Sequence, residues 1–154
     1  MHTVDAADTI ARMIEFFPGI KQQQIRSIIA GVLRGVVSQR LLPRVGGGRV
    51  GAFEVMTNNA RISELIRENK ADEISDAIAE GEFFDMQTFS QALIQLVVSA
   101  EIDSEVAANA ATNRHDFLVS LEHALKHKDA VAREAVEAEA AKDEPELRVV
   151  GHRG

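Results

Sequence analysis

Residues 21–57 read KQQQIRSIIAGVLRGVVSQRLLPRVGGGRVGAFEVMT, and a change of period inside this stretch decides the fold. In its first half Ile25, Ile28, Ile29, Val32, Leu33, Val36 and Val37 fall at three-and-four spacing, which predicts a helix with one broad buried face. In its second half Leu41, Leu42 and Val45, then Gly46, Gly47 and Gly48, then Val50, Ala52, Phe53, Val55 and Met56 predict two short strands joined by a glycine turn. A buried helix feeding a β-hairpin is the expectation. Ser27, Gly31 and Gly35 recur every fourth residue beside the helical stripe, and a glycine in a helix interior costs up to about 1 kcal/mol relative to alanine. Close approach of another backbone would offset that cost. Arg26 and Arg34 interrupt the segment and the uncharged run is too short for a bilayer, so a soluble core helix is expected.

Working outward, 154 residues with 45 % apolar side chains suit one domain with a buried core. Cysteine is absent, which rules out a disulfide framework or a thiolate zinc site and suits a reducing cytoplasm. The net charge of −7, without a lysine and arginine cluster, argues against nucleic acid or an anionic membrane surface as partner. Asp5 and Asp8 stand where the apolar core of a secretory signal would lie, so no signal is expected.

Ala6, Ile10, Met13, Ile14 and Phe17 predict an amphipathic helix, with Asp5 as N-cap, Asp8 opposing its positive end, and Pro18-Gly19 closing it. His2 precedes the cap. By position alone it reads as a disordered terminal residue or as a strand-end histidine turned toward a ligand. Downstream, Asn69 and Gly81 bracket a helix with Ile74, Ala77 and Ile78 inward, and Asp85 is expected to cap another with Met86, Phe89, Leu93, Leu96 and Val97 on one face. Ile102-Asp103 opens a third with Val106, Ala107 and Ala110 inward, and Asn113 caps a fourth carrying Phe117, Leu118, Leu121, Ala124 and Leu125. His123 and His127 lie one turn apart. They lack a third ligand and the glutamate of His-Glu-x-x-His, so a solvated helix face is preferred to a metal pair. From Lys128 to Gly154 alanine and charge predict a frayed helix passing into a disordered tail.

The His2-Thr3 pair, the Phe16-Phe17-Pro18 end of the first helix, Ser38-Gln39-Arg40-Leu41-Leu42-Pro43 and the following Gly47-Gly48-Arg49-Val50 together resemble the secretion ATPase superfamily. More narrowly, the chain from about His2 to Ala111 resembles the C-terminal part of PilT-like and PilU-like twitching-motility ATPases, the hexameric motors that retract type IV pili. The resemblance implies that His2 and Thr3 form the histidine box at the end of a core strand. It gives both a catalytic place, with His2 near the nucleotide's γ-phosphate. It also implies that Arg61-Ile62-Ser63-Glu64-Leu65-Ile66-Arg67-Glu68 answers the family's Ala-Ile-Arg-Asn-Leu-Ile-Arg-Glu signature, associated with retraction. Ile62, Leu65, Ile66, Arg67 and Glu68 match, while Arg61, Ser63 and Glu64 depart from it. Read as residues, Ile62, Leu65 and Ile66 are a short apolar stripe, and Arg67 with Glu68 a solvated edge. Met86-Gln87-Thr88 resembles a segment of the family's C-terminal helical subdomain.

The glycine triplet is not expected to cradle phosphate, because a Walker A loop ends in Gly-Lys-Ser/Thr and Gly48 is followed by Arg49-Val50. The absence of cysteine resembles the retraction branch rather than members with a four-cysteine metal insertion. No Gly-x-x-x-x-Gly-Lys-Ser/Thr occurs in the 154 residues, nor do the family's aspartate box, Walker B strand or PAS-like domain. The expectation is therefore a piece of a longer motor ATPase, or a degenerate copy, inactive alone. Its fold class is α+β, mostly helical: the C-terminal portion of a RecA-like P-loop ATPase core over 1–57 with one β-hairpin, a helical subdomain over 58–127, and a charged tail over 128–154. The resemblance implies ATP and Mg2+ in the full-length protein, with none for this chain alone. It implies a hexamer, a pilus inner-membrane platform protein as partner, and a cytoplasmic place at the base of the pilus. Nucleic acid and membrane insertion are not expected. One alternative is a non-enzymatic helical module that packs on intact motor subunits. A metal-dependent enzyme built on His123 and His127 is another.

Overall fold

The structure, a computed structural model, describes residues 5–142, with side chains through residue 135. It is α+β and mostly helical, with a single two-stranded antiparallel sheet among the described residues. Helix α1, Ala6–Glu15, starts as predicted: the Asp5 carboxylate accepts from the Asp8 N–H at 2.8 Å, and Ala6, Ile10 and Ile14 are buried. Phe17 does not join that face. The helix ends at Glu15, the chain turns at Pro18, and Phe17 is left 42 % exposed.

Helix α2, Gly19–Val32, is shorter than its periodicity predicts, and Val36 and Val37 belong to strand β1, Gly35–Pro43. A pair of adjacent valines fits both a helical and an extended period, and contacts distant in sequence decide between them. Asn58 Nδ2 donates to the carbonyls of Ala30 and Leu33 at 3.0 and 2.9 Å, Ser63 Oγ donates to Ala30 at 2.6 Å, and the Asn58 N–H donates to Arg34 at 2.9 Å. These bonds satisfy the carbonyls at the end of α2 and release the chain into the strand. The predicted broad buried face is correspondingly narrow: Ala30 is buried, Ile25, Ile29 and Leu33 are partly buried, and Ile28 and Val32 are exposed. Val36 packs partly against the core from the strand.

Strand β1 pairs with β2, Arg49–Thr57, from Gly35 opposite Thr57 to Pro43 opposite Arg49. The close backbone approach foreseen for the glycines is real at Gly35, where a Cβ would lie 2.6 Å from the Met56 carbonyl oxygen, but it spans the hairpin rather than a helix contact. Gly31 has nothing within 4 Å of that position. Gly46, Gly47 and Gly48 have φ of +84°, +106° and +78°, so the turn is made where the sequence placed it.

Helix α3 is Ala60–Arg67, capped by Asn59, and α4 is Ile74–Ala79 after a 3-10 turn at Ala71–Glu73. Helix α5, Phe89–Val98, is capped by Thr88 and not by Asp85. The Thr88 hydroxyl accepts from the Gln91 N–H at 3.2 Å while the Gln91 side chain accepts from the Thr88 N–H at 2.8 Å. Asp85 takes a left-handed conformation, φ 54°, after a 3-10 turn at Glu82–Phe84. Helix α6 is Ser104–Ala110; helix α7, Arg114–Lys142, begins at Asn113, whose side-chain oxygen accepts from the amides of His115 and Asp116. In α7 Phe117 and Leu121 are buried but Leu118 and Leu125 are exposed, a narrower face than the sequence pattern drew.

Two hydrophobic clusters result. The first gathers α1, α2, α3, α4, Met56 and Met86. The second gathers Leu42 and Ala52 of the hairpin with Phe89, Ala92, Leu93, Ile102, Ala107, Ala108, Phe117 and Leu121. The hairpin contributes to both. Among the described residues no helix is long and apolar enough to cross a membrane.

Candidate functional site

Strand β2 points Ala52, Glu54 and Met56 inward, so alternation puts a carboxylate in the core between two apolar residues. Glu54 is 4 % exposed. Its Oε1 accepts from the Ala6 N–H at 2.7 Å and its Oε2 from the Phe89 N–H at 3.4 Å, the first residues of α1 and α5. Two helix N-termini, each with free N–H groups and a partial positive charge, thus converge on one buried acid. Burial is the main influence on its carboxyl and raises its pKa; the bond from Ala6 acts against this, the charge of Asp5 adds to it, and Phe89 and Arg40 pull it back.

Arg40 sits on the inward side of β1 opposite Ala52, with its guanidinium 3.9 Å from the centre of the Phe89 ring. It donates to the Ala110 carbonyl and, at 3.3 Å, to the Thr112 hydroxyl, joining the hairpin to the end of α6. Burial lowers its pKa, and the charges of Glu54 and Asp5 oppose that. The side chain stays cationic throughout the physiological range. Sequence reasoning passed over both residues. The readable signal was a charge at an inward position of each strand, visible once the hairpin register is drawn.

His2 and Thr3 lie outside the described residues, and Asp5 is the first residue after them that the structure describes. The signature residues divide. Ile62, Leu65 and Ile66 are buried in the first cluster, where they carry α3 against α2 and α4. Arg67 and Glu68 are exposed at the end of α3; Glu68 pairs with Lys70 at 2.8 Å, and the Arg67 carbonyl accepts from Gln23. His123 and His127 are exposed on α7, and among the described residues no three His, Asp or Glu side chains gather into a metal-sized group.

In the glycine turn the Arg44, Gly47 and Val45 amides donate to Gly48, Arg44 and Glu101 within the protein, so they are not turned outward as a phosphate cradle. Arg44 also pairs with Glu101 at 3.1 Å, which ties the turn to the segment before α6.

No family model matches the chain. The type IV pilus retraction ATPase PilT of Pseudomonas aeruginosa is 38 % identical over 117 residues, covering 76 % of this chain and 34 % of that protein. A crystal structure of the pilus retraction motor PilT with bound ADP superposes with a TM-score of 0.67 at 38 % identity, over 75 % of this chain and 32 % of that one. Over three quarters of its length the chain is a homologue of PilT-like ATPases. A twitching motility protein of Neisseria gonorrhoeae agrees, 37 % identical over 114 residues, 73 % of this chain and 30 % of that protein. What this PilT-like chain matches is the C-terminal portion of the ATPase fold, and it spans about one third of the length of these relatives.

Proposed function

We propose that this chain serves as the C-terminal portion of a hexameric motor ATPase that powers type IV pilus retraction and twitching motility. The observation that carries the reading is 38 % identity to a PilT over 76 % of the chain, together with a superposition on a PilT crystal structure over 75 % of it. In this reading residues 1–57 complete the ATPase core, 58–127 form its helical subdomain, and 128–154 a tail. His2, with Thr3 beside it, reaches the terminal phosphate of MgATP held by the rest of the motor. Ile62, Leu65 and Ile66 seat the retraction signature in the core, and Arg67 and Glu68 present its polar end to a neighbouring part of the machine. The motor works on the cytoplasmic side of the inner membrane against the pilus platform protein.

A chimera tests this. This chain replaces the matching third of Pseudomonas aeruginosa PilT, and Mg2+-dependent phosphate release and twitching are measured. Retained turnover, lowered by His2→Ala more than nucleotide affinity is lowered, is the expected result. A folded hexameric chimera without turnover would overturn the reading. In that event binding of the unfused chain to intact PilT would favour the alternative, a non-enzymatic module, for which the exposed Ile28, Val32 and Val37 speak.

A further inference from the structure

Both hydrophobic clusters draw on the inward face of β2, and the inward position between their contributions is not apolar. Ala52 belongs to the second cluster and Met56 to the first, and the inward position that separates them is Glu54. An ionisable group in a packed interior is costly to hold, and a position chosen for packing alone would be apolar. Here the carboxylate reaches both ways from the seam, to the first amide of α1 at 2.7 Å and the first amide of α5 at 3.4 Å. Helix α5 is tied to β2 a second time, because Val55 and Gln87 exchange backbone hydrogen bonds at 2.9 and 3.0 Å. The start of α1 meets β2's polar groups through Glu54.

We propose that Glu54 is a positioning residue that couples the start of α1, and with it the backbone continuing from His2 and Thr3, to the start of α5. A displacement of the C-terminal helices then moves the start of α1 instead of being absorbed between the clusters. The consequence for turnover rests on the motor reading above; the coupling itself does not. Arg40 supports the arrangement from the α5 side by covering Phe89 and holding Ala110. Among the described residues the charged groups facing Glu54 include Asp5 from the cap of α1 and Arg40 from β1, while Asp8 pairs with Arg12 on α1 at 2.9 Å.

The amide resonances of Ala6 and Phe89 in the 154-residue chain report the coupling directly. They are followed against pH in an Asp5→Asn background, which removes the neighbouring carboxyl and keeps a capping side chain. Both amides are expected to move with one shared midpoint, and Glu54→Gln to abolish both titrations. Thr88→Ala, at the cap of α5, is expected to shift the Ala6 amide when Glu54 is present and to leave it in place in Glu54→Gln. Separate midpoints, or an equal Ala6 shift in both backgrounds, would overturn the proposal. The shared-midpoint measurement keeps Glu54, so it decides even if the glutamine variant does not fold. In the PilT chimera Glu54→Gln is expected to lower kcat at least fivefold with KM for ATP little changed, and an unchanged kcat would overturn the link from the start of α1 to turnover. A parent chimera without turnover would count against the motor reading and leave the amide result standing.

Discussion

Glu54 shows how one residue can be costly and necessary together. Its carboxyl is raised from the ordinary value, chiefly by burial, so the folded state favours the protonated form more than the unfolded chain does. For an acid shifted upward, the stabilising contribution is fully present below the unfolded value of about 4.3. It is lost as pH rises from there through the folded value. Urea unfolding of the wild type should therefore lose stability over that interval through this group, and Glu54→Gln should flatten the loss. Identical pH slopes for the two proteins would remove Glu54 from the account. Truncation is a different experiment: Glu54→Ala leaves the Ala6 and Phe89 amides buried without an acceptor and should cost about 1–3 kcal/mol, read as a lower midpoint in the same titration.

Helix and strand ends are decided by small groups at fixed places. Gly35 and Gly31 look equivalent in the sequence, yet they predict opposite outcomes. Gly35→Ala drives a Cβ to 2.6 Å from the Met56 carbonyl oxygen and should destabilise by about 1–3 kcal/mol, because backbone on both strands must shift. Gly31→Ala meets nothing within 4 Å in the last turn of α2 and should stabilise by about 0.5–1 kcal/mol. Thermal melts of the two variants should move in opposite directions, and a common direction would contradict the strand assignment of Gly35. The α5 cap gives a similar contrast. Thr88→Ala should cost about 1 kcal/mol, whereas Asp85→Gly, at a left-handed position, should be neutral or slightly stabilising. Chemical denaturation with Asp85→Gly more damaging than Thr88→Ala would restore Asp85 as the cap.

At the scale of the molecule, the chain folds two cores yet leaves large apolar side chains in solvent. Ile20 is 94 % exposed, Val37 68 % and Val32 67 %, and these values are high enough to predict association. The isolated chain should bind a hydrophobic dye and self-associate with rising concentration; a dye-silent monomer by light scattering would contradict that. It should also release no phosphate from MgATP. Positioning and charge neutralisation do most of the work in P-loop enzymes, and the 154-residue sequence contains no Gly-x-x-x-x-Gly-Lys-Ser/Thr to supply them. Turnover by the purified chain that His2→Ala abolishes would refute this.

The sequence by itself determined the hairpin, because three consecutive glycines between alternating apolar runs leave few other conformations, and it determined the caps at Asp5 and Asn113, whose hydrogen bonds are local. The ordered run from Ser38 to Val50 also carried the family, since spaced motifs survive where single residues drift. Tertiary structure alone decided where α2 stops, through Asn58 and Ser63 bonding to its last carbonyls from more than twenty residues away, and hence that Val36 and Val37 are strand. It alone decided what Glu54 and Arg40 meet there, the Ala6 and Phe89 amides for the one and the Phe89 ring and Ala110 carbonyl for the other. Periodicity records which residues are apolar, whereas the partners of a buried charge are set by which distant backbone groups the packing brings within hydrogen-bonding distance.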